Sequence, residues 1–330
     1  MTHDRPAQDR HTPVLLERVV DVLEPALQES GAIMVDATLG MGGHAERVLE
    51  RCPAARVVGI DRDPQALELA GARLARFGER FTGVHAVYDE VPEALEGLNL
   101  ASAQAVLFDL GVSSLQLDDL DRGFAYRADA PLDMRMNQEE GLTAAEVLNT
   151  YDQPALERIL RDYGEERFAR KISRTIVKRR ESEPFARSAA LVTLLTQAIP
   201  AASQRSGGHP AKRTFQALRI EVNRELSTWD RALERTLEAL PVDGRVAVLA
   251  YHSLEDRIAK QALVKASSSS APPGFPVELP EQRPWMQLLT RGAEKATPAE
   301  IESNPRATSV RLRAAMRIRL TTTTGEKARR

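Results

Sequence analysis

The most constraining feature of the sequence is a glycine-rich turn between an apolar strand and a helix. Residues 35–45 run Val-Asp-Ala-Thr-Leu-Gly-Met-Gly-Gly-His-Ala, and a second apolar segment, residues 57–61, follows and ends in Asp61. Such a turn lets backbone N–H groups and a helix N-terminus approach a polar ligand closely. An acid that ends the second strand accepts hydrogen bonds from ribose hydroxyls. The pattern therefore predicts a site for an adenosine-containing cofactor.

The glycine spacing leaves two cofactor chemistries open. Gly40, Gly42 and Ala45 satisfy the dinucleotide pattern G-x-G-x-x-A, and Asp61 comes 21 residues after Gly40. A nicotinamide dinucleotide and S-adenosylmethionine both carry the adenosine that this turn accommodates. The turn alone thus indicates either hydride transfer or methyl transfer.

Predicted strands and helices alternate at both ends of the chain, which predicts a doubly wound, Rossmann-like α/β fold with a parallel sheet. The middle of the chain shows only helical periodicity, so a helical insertion is expected there. The predicted strands cover residues 33–36, 56–61, 81–86, 105–110, 245–251 and 310–320.

The same patterns predict the domain organisation. We expect a core domain from residues 11–116 and 209–320, and a helical insertion that forms a substrate domain from residues 117–208. Residues 1–10 and 321–330 are expected to be disordered.

Capping and helix-breaking residues predict the finer boundaries. A first helix is predicted over residues 13–27, and Ser188 is predicted to cap a later helix that Pro200 ends. Residues 201–208 are predicted to form a loop, and residues 213–240 one long helix.

The composition excludes several classes of protein. The single cysteine, Cys52, forbids an internal disulfide, which fits a reducing cytoplasm. No apolar run of about 18 residues exists and the N-terminus lacks an apolar signal segment, so we expect a cytoplasmic protein without a membrane span. The six histidines show no metal-ligand spacing, so no metal site is predicted.

The formal net charge of −2 hides a segregation of charge along the chain. Residues 151–225 carry 15 Lys or Arg against 9 Asp or Glu, and residues 301–330 carry 8 against 2, so each segment has a surplus of 6 positive charges. This segregation is typical of a basic face that binds a polyanion, although solvated helix faces and a disordered tail produce the same count.

Candidate cofactor and catalytic residues follow the predicted strands, because ligands bind at the carboxyl ends of strands in open α/β sheets. Asp109 ends the fourth strand, where a carboxylate can accept a hydrogen bond from an amine or cap the next helix. Tyr88 follows the third strand and is a candidate for stacking on adenine or for the core. His252 follows a later strand, and His44 lies at the start of the helix after the glycine turn.

Two stretches suggest contacts to a substrate. Asp133, Arg135 and Asn137 belong to an unusual loop sequence within the insertion. Where the insertion returns to the sheet, Lys212 and Arg213 can neutralise phosphates. An exposed Phe215 beside them can stack on an unpaired base. The apolar residues near Phe215 in the sequence are equally consistent with a buried position on a helix.

These residues together resemble the bacterial RsmH (MraW) family of small-subunit ribosomal RNA cytosine-N4 methyltransferases. The resemblance covers about residues 11–320, in motifs that occur in the same order. The matching segments are residues 11–16, 40–44, 60–64, 109–114 with Gln116, 122–124, 131–136, 163–167, 213–219, 252–257 and 304–307.

The resemblance implies a class I methyltransferase core, S-adenosylmethionine as the methyl donor, and a cytosine of the ribosomal decoding region as the target. Three departures stand out: Tyr88 where the family commonly has phenylalanine, Leu115 where it often has proline, and a serine tract at 267–270. The residues that the resemblance implies for the cofactor site are Gly42, Gly43, His44, Asp61, Tyr88, Asp109 and Gln116.

The expected reaction is direct methyl transfer to the exocyclic N4 of a flipped or single-stranded cytosine, with Asp109 accepting an N4–H hydrogen bond. The resemblance favours the assembled small ribosomal subunit as substrate and leaves a homodimer open. Two rival functions remain: a nicotinamide-dependent oxidoreductase, and a non-catalytic ribosome-assembly protein that binds RNA.

Overall fold

The computed structural model describes residues 12–207, 209–272 and 278–321. The expected disorder of residues 1–10 and 322–330 therefore concerns positions outside the described residues. The chain forms two compact units. One, the sheet unit, comprises the residues up to Gly111 and from Thr228 onward; the other, the helical unit, comprises Val112–Ser227.

The sheet unit contains a seven-stranded sheet in the order β3-β2-β1-β4-β5-β7-β6. Strands β3, β2, β1, β4 and β5 are parallel, whereas β7 runs antiparallel to both β5 and β6. This arrangement confirms the predicted Rossmann-like α/β fold. The strands are β1 (Ile33–Asp36), β2 (Arg56–Asp61), β3 (Phe81–His85), β4 (Ala105–Asp109), β5 (Arg245–Ala250), β6 (Met286–Leu288) and β7 (Arg311–Arg317).

Helices connect the strands and build the helical unit. Short 3₁₀ turns extend several of them, such as Glu24–Ala26 after the first helix. The α-helices of the described residues are α1 (Leu16–Leu23), α2 (Gly43–Arg51), α3 (Pro64–Leu74), α4 (Val91–Gly97), α5 (Ser114–Asp118), α6 (Ala144–Thr150), α7 (Gln153–Asp162), α8 (Ala169–Arg180), α9 (Ser188–Ala198), α10 (Ala201–Gly207), α11 (Ala211–Asn223), α12 (Glu225–Ala239), α13 (Ser253–Ala266) and α14 (Pro298–Ser303).

The central strands are apolar on both faces because a core covers each face of the sheet. Met34 and Leu107 pack into one core, which also includes residues of α1, α2 and α3. Val35 and Phe108 pack into the other, together with Trp229 and further residues of α12 and α13. Burial on both faces explains why these strands are continuous apolar runs rather than alternating ones.

The helical unit has a core of its own. Side chains from α6, α7, α8, α9 and α11 meet around fully buried residues such as Ile159, Ile172, Leu191 and Leu218. The observed unit is longer at both ends than the insertion expected at residues 117–208. At the N-terminal end Val112 packs against this core, and at the C-terminal end α11 contributes its apolar face to it.

Three local predictions were wrong. Residues 201–207 form helix α10 instead of a loop. Ser188 lies inside α9, whose N-cap is Arg187, and the Ser188 hydroxyl donates to the Ala128 carbonyl instead. The long helix predicted over residues 213–240 is two helices, separated at Arg224, which has φ of 52°.

The first helix is also shorter than predicted: it begins at Leu16 rather than at residue 13, after Leu15 in a left-handed conformation with φ of 51°. A membrane-crossing helix is not found, since within the described residues none is both long and apolar enough.

Candidate active site

Three aspartates end three neighbouring parallel strands. Asp36 ends β1, Asp61 ends β2 and Asp109 ends β4. Strand β1 pairs with β2 on one side and with β4 on the other, so the three carboxyl groups lie along one edge of the sheet. This is the edge at which open α/β sheets bind ligands.

The glycine turn is tied to Asp61 through backbone hydrogen bonds. The Gly40 N–H donates to Asp61 Oδ2 at 2.8 Å, and the Asp63 N–H donates to Oδ1 at 2.9 Å. Both carboxylate oxygens are thereby fixed, and each keeps a lone pair for a further donor. The geometry suits the predicted role of Asp61 as an acceptor for ribose hydroxyls.

Gly42 and Gly43 are required for close packing around the turn. Gly42 is the N-cap of α2 with φ of 75°, and a Cβ there would lie 3.1 Å from Leu74 Cδ1. A Cβ on Gly43 would lie only 2.4 Å from Cγ of Pro13. The turn is thus packed between α3 and the segment that precedes α1.

We expect Gly43→Ala to lower the free energy of unfolding by about 1–3 kcal/mol, because the rigid Pro13 ring must move to admit the methyl group. Thermal unfolding of the purified protein measures the change. Gly71→Ala is the matched control: Gly71 lies within α3 with no atom within 4 Å of the added Cβ. The control should be neutral or stabilising by up to about 1 kcal/mol. Equal stability of Gly43→Ala and the unchanged protein would contradict this packing.

Burial disfavours the charged form of all three strand-end aspartates. Desolvation and, to a smaller extent, the nearby Asp109 carboxylate raise the pKa of Asp36 to about 8. Desolvation also raises the pKa of Asp61 to about 6, against the stabilising backbone N–H groups of Asp63 and Gly40. The pKa of Asp109 is raised by burial as well. A cation placed at this edge would favour the ionised forms.

Asp109 is held by two side chains and by its own backbone. The Tyr251 hydroxyl donates to Asp109 Oδ1 at 2.7 Å, and the Asp109 N–H donates to Thr38 Oγ1 at 2.6 Å. His44 Nδ1 lies 3.6 Å from Asp109 Oδ2. The carboxyl group therefore has a defined orientation at the end of β4.

His44 acts through its contact with Asp109 and through the segment before α1. Its Nε2 lies 3.1 Å from the Val14 carbonyl oxygen, and because a carbonyl only accepts, we assign the ring hydrogen to Nε2. Burial lowers the pKa of His44 and favours its neutral form, whereas the nearby Asp109 carboxylate acts in the opposite direction. Burial raises the pKa of Asp109, and a charged His44 and the hydrogen bond from Tyr251 both act to lower it.

Sequence reasoning missed two residues of this edge. Asp36 ends a short apolar run as Asp61 and Asp109 do, which was an available signal. Tyr251 directly follows β5, and its contact with Asp109 depends on the pairing of β4 with β5. Only the strand order makes the two residues neighbours, so the linear sequence carried no such signal.

The two remaining predicted cofactor residues lie in different units. Tyr88 follows β3 in the sheet unit, where its half-buried ring packs edge-on against Phe108 and Trp229 at centroid distances of 6.3 and 6.5 Å. Gln116 belongs to the helical unit, where it is buried and forms a reciprocal capping box with Ser113 at the start of α5.

The insertion loop is held together by its own polar residues. Arg135 forms a bidentate pair with Asp133, with both N–O distances 2.9 Å. Asn137 accepts a hydrogen bond from the Glu139 N–H at 3.1 Å. Asn223 accepts from the Met136 N–H at 2.8 Å and fixes the loop to α11. The unusual sequence of this loop therefore has a structural explanation within the helical unit.

The segment around α11 corrects one substrate prediction. Phe215 is only 4% exposed and packs in the core of the helical unit, so the expectation of an exposed Phe215 that stacks on an unpaired base was wrong, and the alternative of a buried helix residue is correct. Its ring meets Tyr126 edge-on at 5.6 Å. Lys212 is exposed, whereas Arg213 donates to the Glu165 carbonyl at 2.7 Å.

His252 caps the helix that follows β5. Its Nδ1 accepts a hydrogen bond from the Glu255 N–H at 3.4 Å, and its Nε2 lies 2.9 Å from Glu255 Oε1. Glu255 in return accepts from the Tyr251 N–H at 2.8 Å. His252 thus has a structural role at the carboxyl end of β5, beside the residue that contacts Asp109.

The residues present fit S-adenosylmethionine. The glycine turn and Asp61 suit its ribose, and the acidic edge formed by Asp36, Asp61 and Asp109 suits a ligand with a sulfonium cation. Fold and site together define a class: the Rossmann-like methyltransferases that depend on S-adenosylmethionine.

Comparison with known proteins identifies the family. The MraW methylase family model matches residues 8–318. The ribosomal RNA small subunit methyltransferase H of Beutenbergia cavernae is 60% identical over 329 residues, which cover 100% of this chain and 99% of that protein. The protein of the same name from a Nocardioides species is 62% identical over 304 residues, with coverage of 92% and 95%. The chain belongs to the MraW methylase family.

Proposed function

We propose that this protein methylates the exocyclic N4 of a cytidine in the decoding region of small-subunit ribosomal RNA. The observation that carries the proposal is the carboxyl group of Asp109, oriented by Tyr251 beside the glycine turn of the cofactor site. The relatives support the class of RNA by their name, ribosomal RNA small subunit methyltransferase H.

The cofactor supplies, when bound, a methyl group on a sulfonium that the lone pair of a nitrogen can attack. The N4 lone pair of cytosine is delocalised into the ring, so the protein must favour its localisation. Asp109 would do this by accepting a hydrogen bond from N4–H and then taking the proton as the new C–N bond forms. The bond between the methyl carbon and the sulfonium sulfur would break in the same step, so that a neutral thioether would leave. Alignment of the two reactants also lowers the activation barrier, by about 7–11 kcal/mol in favourable cases.

The cofactor would be held by residues that follow the strands of the sheet unit. Asp61 would accept from the ribose hydroxyls, and the half-buried ring of Tyr88 would lie against the adenine. Gly42 and Gly43 would let the backbone of the turn approach the ligand beside His44. The resemblance to the family implies Gln116 as a further cofactor residue. Each assignment follows the resemblance to the family, and the positions of Asp61 and the glycines in the fold support it.

The helical unit would hold the RNA as a substrate domain. Lys212 is exposed and suited to a phosphate, and Arg213 lies next to it on α11. Asp133, Arg135 and Asn137 would shape a loop against the substrate, and His252 would contact it from the end of β5. The resemblance further supports action on the assembled small subunit in the cytoplasm. A homodimer is a separate expectation, which sedimentation measures.

Mass spectrometry of ribosomal RNA nucleosides tests the proposal. Small subunits that lack the modification, and naked RNA from them, are incubated with the protein and S-adenosylmethionine. We expect N4-methylcytidine, in larger yield from the subunits. Methylation at carbon 5 would overturn the role of Asp109. RNA binding without methylation would favour an assembly protein, and binding of NADH without S-adenosylmethionine an oxidoreductase.

A further inference from the structure

Helix α8 has one buried face and one strongly basic face. Ala169, Ile172, Ser173 and Ile176 are buried in the helical unit. At about 100° per residue, these four positions fall on one side of the helix. The opposite side is therefore available for contacts outside the core of this unit.

Five exposed cations occupy that opposite side, and we call them the basic stripe. On a helical wheel, the four that belong to the helix fall within a sector of about 100°, centred almost opposite the buried residues, and the fifth lies just before the helix. Helix α8 itself contains no acidic residue. The basic stripe consists of Arg167, just before the helix, and Arg170, Lys171, Arg174 and Lys178.

The basic stripe has no acidic partner in the part of the chain that the structure describes. Within the described residues, none of its five side chains forms an ion pair or a hydrogen bond. Other exposed arginines of the same unit behave differently: Arg161 pairs with Asp162 at 2.8 Å, and Arg187 pairs with Asp129 at 2.6 Å. Like charges three and four residues apart on a helix repel one another, so an unneutralised row disfavours the helix. A partner that supplies the missing negative charge would remove this repulsion.

We propose that the basic stripe binds the phosphodiester backbone of RNA. From Arg170 to Lys178 the helix rises about 12 Å. This length covers about three phosphates at the axial spacing of a nucleic-acid strand. Long, flexible cations on successive turns match such a row of charges. The inference rests on the proposed function for its partner, because ribosomal RNA is the polyanion that the enzyme must hold.

The test is the salt dependence of RNA binding by the complete protein. A triple variant, Arg170→Gln, Arg174→Gln and Lys178→Gln, removes three charges while keeping good helix formers. Each lost phosphate contact lowers the slope of log K against log salt by about 0.7–0.9. We therefore expect the slope to fall by about 2, and the affinity at low salt to fall at least tenfold.

A charge-matched control separates the basic stripe from a general effect of net charge. Lys260, Lys265 and Arg291 are exposed cations of the sheet unit, and their triple change to glutamine should leave the slope nearly unchanged. Equal slopes for the stripe variant and the unchanged protein would overturn the proposal. So would a loss of binding to anionic lipid vesicles with no loss of RNA binding.

Activity distinguishes failure of this proposal from failure of the proposed function. At saturating RNA the stripe variant should keep its kcat, while its KM rises at least tenfold. Normal methylation with an unchanged KM and an unchanged slope would overturn only the proposal that the basic stripe binds RNA. A slope that falls in the variant of a protein without methyltransferase activity would support the basic stripe and contradict the proposed function.

Discussion

Asp109→Asn is expected to lower the rate of methyl transfer by about 10²–10⁴-fold at saturating cofactor and RNA, the range typical of general acid–base catalysis. The amide keeps the shape of the side chain and can still accept the hydrogen bond from Tyr251, but it cannot take a proton. Single-turnover kinetics with excess enzyme measure the chemical step without product release. A normal rate with only a raised KM for S-adenosylmethionine would show that Asp109 serves the cofactor and not the reaction.

The hydrogen bond from Tyr251 provides a second measurement on the same carboxyl group. Donation by the Tyr251 hydroxyl favours the ionised form of Asp109 and so counteracts the increase that burial causes in its pKa. The rate should rise with pH as Asp109 ionises. Tyr251→Phe should move this acid limb to higher pH by about one to two units.

A matched control exists in the helical unit. The hydroxyl of Tyr151 donates to Glu221 Oε1 at 2.9 Å, in a similar tyrosine–carboxylate pair. Tyr151→Phe should leave the pH profile of the rate unchanged. An identical profile for the Tyr251→Phe enzyme would contradict the role of Asp109 as proton acceptor.

Asp36→Asn is expected to stabilise the protein at alkaline pH and to stabilise it by much less near pH 5. The buried carboxyl of Asp36, only 2% exposed, has its pKa raised from 3.8 to about 8. Between these values the native state holds a proton that the unfolded chain has released. The contribution of Asp36 to the free energy of unfolding therefore falls as the pH rises through this window, and it stays low at higher pH. Asparagine has no proton to lose.

Urea unfolding of both proteins at pH 5 and pH 9 measures the difference. Each unit of pKa corresponds to about 1.4 kcal/mol, so the stabilisation at pH 9 has an upper limit of about 6 kcal/mol. The amide can still accept the hydrogen bond from the Thr38 N–H, which measures 3.3 Å in the structure. A difference in stability that is the same at both pH values would contradict the burial of an ionisable group at the end of β1.

The central strands could be predicted because the signals that mark them lie within each strand's own sequence. Strands β1, β2 and β4 are buried on both faces and each ends in an acid, so an apolar run marks each strand and its last residue marks the site. Strand β6 was missed for the opposite reason. It has three residues, two of them exposed, and it forms because β7 lies beside it.

The break between α11 and α12 could not be predicted from the sequence because neither glycine nor proline occurs there. Arg224 adopts the left-handed conformation instead, which costs free energy for a residue with a side chain. Phe215 shows a different limit. Basic neighbours suggested exposure, yet its helical spacing to Leu218 already favoured the buried face that the structure has. Helical periodicity was the better guide there than charge.

A crystal structure of the protein grown with S-adenosylmethionine tests the assignment of the site most directly. We expect the cofactor at the carboxyl ends of β1, β2 and β4, with its ribose hydroxyls on Asp61 and its sulfonium beside Asp109. Cofactor density in a different cavity, with these three strand ends empty, would contradict the assignment of the site and of the reaction built on it.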